Sequence, residues 1–156
     1  MPHAACHTGY GPMMIVLLAH TAATLVMVGV IWFVQVVHYP LFEQVGKEAF
    51  AAYEIAHARL TTWVVAPPML VEGLTGVLLL WYRPADILAL QTWLGIGLIA
   101  LLWLSTALIQ VPQHDALSFG FDAAAHQTLV TSNWLRTIVW SARGLLVFWM
   151  LARVMR

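Results

Sequence analysis

Imidazole and carboxylate side chains recur in this chain at spacings that place them on shared helical faces, and that donor set serves both metal binding and proton transfer. Gln35/His38 and Glu54/His57 are i,i+3 pairs, and Gln110/His114 is an i,i+4 pair. His126 and Asn133 stand seven residues apart, on one face of any helix that reaches back to His126. The expected ligand set is His38, His57, His114 and His126, with Glu54 as the carboxylate ligand or base, Asp115 as a second base and Arg136 in the catalytic charge network. Imidazole suits iron, copper and zinc. A haem b held by two of these histidines, His38 and His126 among them, is the other version. Glu54-x-x-His57 has the spacing used by dimetal carboxylate bundles, although those carry it on two helices and here it occurs once. Hydrogen bonding at a membrane headgroup accounts for any one of these histidines. Their convergence from four helices is what points to a site.

A sparser set lies deeper. His20 falls seven residues into the first apolar stretch, Glu72 near the middle of the second and Arg143 midway through the last. A charge at mid-bilayer costs at least about 2.5–3.5 kcal/mol, so such groups face the bundle interior and pair. Glu72 is expected to pair with Arg143 or Arg136. His20 is eighteen residues from His38, which returns to the same helical face and sets an inward polar stripe along the first helix. A proton path along His20, Glu72 and the upper histidines is one further use of such a stripe.

These residues must be positioned by membrane helices. The 156-residue chain is 62% hydrophobic and 9% charged, against roughly 25% charged in a water-facing domain. Four stretches are long enough to span: Met13 to Val37, Leu60 to Tyr82, Ile87 to Val111 and Leu129 to Val154. The expected fold is a single all-α integral membrane domain, a four-transmembrane-helix bundle. Its polar segments 38–59 and 113–128 lie on one side. Pro40 and Pro112 are expected to close the first and third spans, and Pro67-Pro68 to kink or restart the second. Val45–Ala58 carries Phe50, Tyr53 and His57 at helical spacing, so it forms a helix along the interface or one leading into the second span. Trp32, Trp63, Trp81 and Trp134, near span ends, are expected as lipid anchors.

Seven Lys+Arg against seven Asp+Glu leave no basic face, which excludes nucleic acid as a partner. The lone Cys6 closes no disulfide within the chain and is expected as a small residue in a tail. No Lys or Arg precedes the first apolar stretch, so that stretch is expected as a retained helix and not a cleaved signal. Arg83, Arg153 and Arg156 on one side outnumber Lys47 and Arg59 on the other, which places both termini in the cytoplasm of an inner (plasma) membrane protein.

His20, Trp32 and Tyr39-Pro40-Leu41-Phe42 carry a resemblance to the bacterial membrane protoporphyrinogen oxidases, small four-helix haem proteins. It is confined to those residues, the spacing from histidine to tetrapeptide departs from that family's, and the chain is not assigned to it. The residues by themselves point to a metal- or haem-binding membrane oxidoreductase acting on a hydrophobic or membrane-delivered substrate. The alternative is a non-catalytic accessory subunit of a larger redox, photosynthetic or respiratory complex, with other membrane subunits or a second copy as partner. Small residues at Gly73-x-x-Gly76 and Gly95-x-Gly97 suit close helix packing in either case.

Overall fold

The computed structural model describes residues 11–156, so Cys6 lies outside the described residues. It is all-helical, with four helices long and apolar enough to cross a membrane and no strand among the described residues. Helix α1 (Gly11–Phe33) passes into a π turn at Val34–His38 and a 3-10 turn at Pro40–Gln44. Helix α2 spans Lys47–Trp81, α3 Ala89–Ser105, α4 Val111–Leu117 and α5 Ala123–Val154. In the bundle, α1 packs on α2 and α5, and α3 packs on the same two from the other side.

Three local expectations change. Of the two forms expected for segment 45–58, the structure has the helix that leads into the second span; what changes is that no break follows, since α2 is one 35-residue helix that continues through Pro67 and Pro68. At about 1.5 Å per residue it is about 52 Å long, well beyond the roughly 30 Å of bilayer hydrocarbon. Its N-terminal third carries Glu54 and His57. Pro112 does not end the third helix either. A π turn at Thr106–Gln110 leads straight into α4, with Pro112 in the first turn of α4, where a missing N–H costs nothing. Finally, α5 starts six residues earlier than its apolar stretch, because the Asp122 carboxylate accepts the Ala125 N–H at 2.8 Å and caps it.

The first and third helices share a device. Each has a π turn ending two residues before a proline: Val34–His38 before Pro40, and Thr106–Gln110 before Pro112. In each, the next N–H reaches back five residues, Tyr39 to the Val34 carbonyl and Val111 to the Thr106 carbonyl. The widened turn makes room for the proline ring, which would clash with a carbonyl four residues back in a regular helix. Both widened turns sit at the same end of the bundle as His57.

Exposure is inverted relative to a water-soluble protein. Trp63 is 76% and Leu145 72% exposed, whereas Glu54, Glu72 and Arg143 are fully buried. Trp32, Trp63, Trp81 and Trp134 all face outward, while Trp140 sits in the core. Of the small residues, Gly76 is the one pressed hardest. A Cβ there would stand 2.9 Å from Ile99 Cδ1 and 3.3 Å from the His20 ring, while one at Gly97 meets nothing within 4 Å. Gly76→Val is therefore expected to cost about 1–3 kcal/mol by overpacking. Gly97→Ala should be neutral or stabilising, by up to about 1 kcal/mol of helix propensity. Thermal unfolding of both variants in one detergent checks the contrast.

Candidate functional site

Two polar tiers form, with different characters. The deeper one is built around Arg143, which touches all three other spanning helices. Its Nε and Nη2 donate to Glu72 Oε1 of α2 at 2.7 and 2.6 Å. Its Nη1 donates to the Gly95 carbonyl of α3 at 2.6 Å, and Nη2 lies 3.1 Å from His20 Nε2 of α1. Thr24 donates to Glu72 at 2.5 Å, and His20 Nδ1 meets the Thr75 hydroxyl at 2.8 Å. Glu72 thus pairs with Arg143 and not Arg136. Thr24 and Thr75 were missed at the sequence level, yet they stand four residues after His20 and three after Glu72, spacings that mark them as same-face neighbours. Every donor nitrogen of Arg143 has a partner. This tier is a four-helix pin.

Apolar residues separate the tiers on every helix. Met27 and Ile31 of α1, Met69 of α2, Leu102 of α3, and Val139 and Trp140 of α5 form one buried cluster between them. The expected inward stripe of α1 is interrupted there.

The upper tier assembles His38, His57, His114 and Glu54. His38 Nε2 meets His57 Nδ1 at 2.8 Å, and Thr61 lies 3.1 Å from the same Nδ1. His114 Nδ1 is 2.5 Å from Glu54 Oε1, and its Nε2 is 3.0 Å from the Tyr39 hydroxyl. A carboxylate only accepts, so Nδ1 of a neutral His114 donates and its Nε2 accepts from Tyr39. The result is a Tyr39–His114–Glu54 chain standing beside a His38–His57 pair, with the His57 and His114 rings 5.3 Å apart.

The other expected residues fall nearby. His126 does not join the cluster: its Nε2 contacts the Tyr39 carbonyl at 2.9 Å, and its Nδ1 lies 3.4 Å from Glu43. His38 and His126 are therefore not a facing pair. Asp115 is exposed on α4, and because α4 is helical it does not turn back onto His114, which takes Glu54 instead. Gln35 accepts from Asn133 at 2.9 Å, and Asn133 in turn accepts from Arg136 at 3.0 Å. Tyr39 had drawn notice only within its tetrapeptide; no spacing marks its hydroxyl, because it is the π turn that swings it toward α4.

No family model, curated protein or solved structure matches this chain.

Two cavities meet at this tier. One, of about 290 Å³, is lined by Tyr39, His57, Thr61, Gln110, His114, Asp115 and Arg136 among others. The other, of about 660 Å³, is an apolar cleft between α1 and α2. Its rim residues Phe33, Leu60 and Val64 are all more than half exposed, so it opens onto the apolar outer face. Both are lined by Val30, Val34, His57, Thr61 and Val65.

Around the smaller cavity, buried polar atoms stand without partners. His57 Nε2, Gln110 Oε1 and Arg136 Nε have none, nor does Glu54 Oε2 beside them. Either tautomer of His57 leaves Nε2 idle, as a bare acceptor or as an unused N–H. An unmet buried polar group costs about 1–3 kcal/mol, so such a cluster marks a place built to receive something. Among the described residues, no three or more His, Cys, Asp or Glu are arranged to hold a metal ion. In this arrangement the imidazole nitrogens of His38, His57 and His114 are spent on one another, on Glu54 and on Tyr39.

Proposed function

We propose that this chain is a multi-pass membrane oxidoreductase that admits a lipophilic substrate through the α1–α2 cleft and works on its polar end at the upper tier. The observation that carries this reading is the meeting at His57 of an apolar, outward-opening cleft and a cavity lined by three unpartnered polar atoms. Burial of Glu72 and Arg143 under an outer face of exposed Trp and Leu supports insertion in a bilayer. The Lys and Arg distribution supports an inner-membrane protein with both termini cytoplasmic. His57 Nε2 is the group placed to exchange a proton with a molecule in the smaller cavity, and His38 backs it through Nδ1. Glu54 holds His114 in one tautomer.

For the redox step we propose an iron or copper ion, or a haem b, at His38, His57 and His114 with Glu54; a zinc ion held there would supply Lewis-acid chemistry only. Imidazole nitrogens on a tetrahedral ion stand roughly 3.3 Å apart, given bonds of about 2.0–2.1 Å. His38 Nε2 and His57 Nδ1 are 2.8 Å apart, so opening one hydrogen bond by about half an ångström gives that separation.

Elemental analysis and an absorption spectrum of protein purified in detergent without chelator test this. A stoichiometric metal or a Soret band is the expected result. A colourless, metal-free protein that travels with a larger membrane complex overturns the redox reading in favour of an accessory subunit.

A further inference from the structure

Arg136 is 7% exposed and lines the smaller cavity, yet the structure gives it no carboxylate partner. The groups it touches are neutral: Nη1 donates to the Asn133 side-chain oxygen at 3.0 Å, the Tyr39 hydroxyl stands beside it, and Nε has no partner. The buried Glu54 carboxylate of the same tier is held by His114 and forms no ion pair with Arg136. Arg143, fully buried seven residues further along α5, is by contrast paired with Glu72. A buried guanidinium without a counter-charge is costly to keep. Asp115 lines the same cavity at its exposed edge but lies beyond ion-pair distance of Arg136.

The missing charge is the ligand's. We infer that the smaller cavity binds the oxyanion head of a single-chain lipid, a carboxylate or a phosphate, on Arg136, while the chain lies in the α1–α2 cleft. Guanidinium is the side chain suited to both heads, through paired N–H donors in one plane. His57 Nε2 and Gln110 Oε1, both unpartnered and both on residues lining this cavity, suit the same head, since a protonated His57 adds a second donor and Gln110 can accept from a partly protonated one. Volumes agree with this division. The 290 Å³ cavity carries the unpartnered polar groups and has room for a head and the first carbons of its chain, and the adjoining 660 Å³ cleft is apolar and opens to the side, where a chain would arrive from lipid. This inference rests on the lipophile-binding reading above and specifies the substrate class for it.

Binding of radiolabelled palmitate to the full-length protein in phosphatidylcholine nanodiscs, against hexadecanol as a neutral chain of equal length, tests it. The wild type is expected to bind palmitate more tightly than hexadecanol. Arg136→Gln should weaken palmitate roughly 10- to 100-fold, the range for a charged hydrogen bond in a buried site, and leave hexadecanol unchanged. Retained hexadecanol binding also shows that the variant is folded, and Arg136→Lys should recover part of the loss. Competition by lysophosphatidate separates the sources: displacement at lower concentration than palmitate identifies a phosphate-headed membrane lipid, and the reverse a free carboxylate. Equal binding of palmitate and hexadecanol, or palmitate binding indifferent to Arg136→Gln, overturns the oxyanion inference alone. Failure of both chains to bind overturns the cleft reading beneath it.

Discussion

Arg143→Met is expected to lower stability by about 3–5 kcal/mol, the loss that follows when one member of a buried ion pair is removed. Four groups depend on this one guanidinium: the Glu72 carboxylate, the Gly95 carbonyl, His20 Nε2 and, more distantly, the Thr24 hydroxyl at 3.4 Å. They belong to α2, α3 and α1, so their loss loosens every helix against α5. The Glu72→Met/Arg143→Met double variant should be more stable than Arg143→Met, since it leaves no charge stranded in the interior. It should stay below the wild type, because Gly95 and His20 still lack their donor. Thermal unfolding of the three variants in a single detergent measures the cycle. If Arg143→Met melts with the wild type, the deeper tier is not the pin that its geometry describes.

His57→Leu is expected to act in the opposite way. Leucine is close to histidine in size, and it removes a buried nitrogen that has no partner, at the expense of the Nδ1 contacts with the half-buried His38 and with Thr61, which share one nitrogen. The gain and the loss are each about 1 kcal/mol, so stability should stay within about 1 kcal/mol of the wild type. Metal content and any oxidoreductase turnover should nevertheless fall by roughly 100-fold or more, as for loss of a positioned proton donor or a ligand. The pairing of an intact melting curve with a lost site separates the tiers. On the reading proposed above, one tier stabilises and the other is held ready at a cost in stability, as functional sites commonly are. A His57→Leu protein that keeps both its metal and its turnover would remove His57 from the site. One that unfolds would make the upper tier structural too.

The contrast between the tiers is also the contrast in what a linear reading recovers. Four helices, an apolar exterior and an inward-facing Glu72 and Arg143 follow from local quantities: run length, hydropathy and the energy of a charge in hydrocarbon. The convergence of His38, His57 and His114 was legible for the same reason, since depth along a helix is countable at a fixed rise per residue. Those local quantities do not specify which helix faces which. Arg143 rather than Arg136 meets Glu72 because α5 is turned so that the Arg143 guanidinium reaches both the Glu72 carboxylate and the Gly95 carbonyl. Arg136, two turns away, faces a cavity instead.

Prolines illustrate the limit from another side. Pro40 and Pro112 have the local character of helix stops, and in isolation a proline removes a hydrogen bond and clashes one turn back. In the bundle each is preceded by a π turn, a strained option that tertiary packing sustains, and the chain continues in helical form. Tyr39 thereby reaches His114, and α4 delivers His114 to Glu54 across sixty residues of sequence. His126 is drawn to the Tyr39 carbonyl by the same turn and leaves the cluster. Composition and spacing by themselves determined an all-helical chain with four apolar spans and two depths of polar residues, because hydropathy and helical period are properties of neighbours in sequence. The tertiary structure alone decided the partners within each depth, since contacts between groups 19 to 123 residues apart depend on how whole helices turn toward one another.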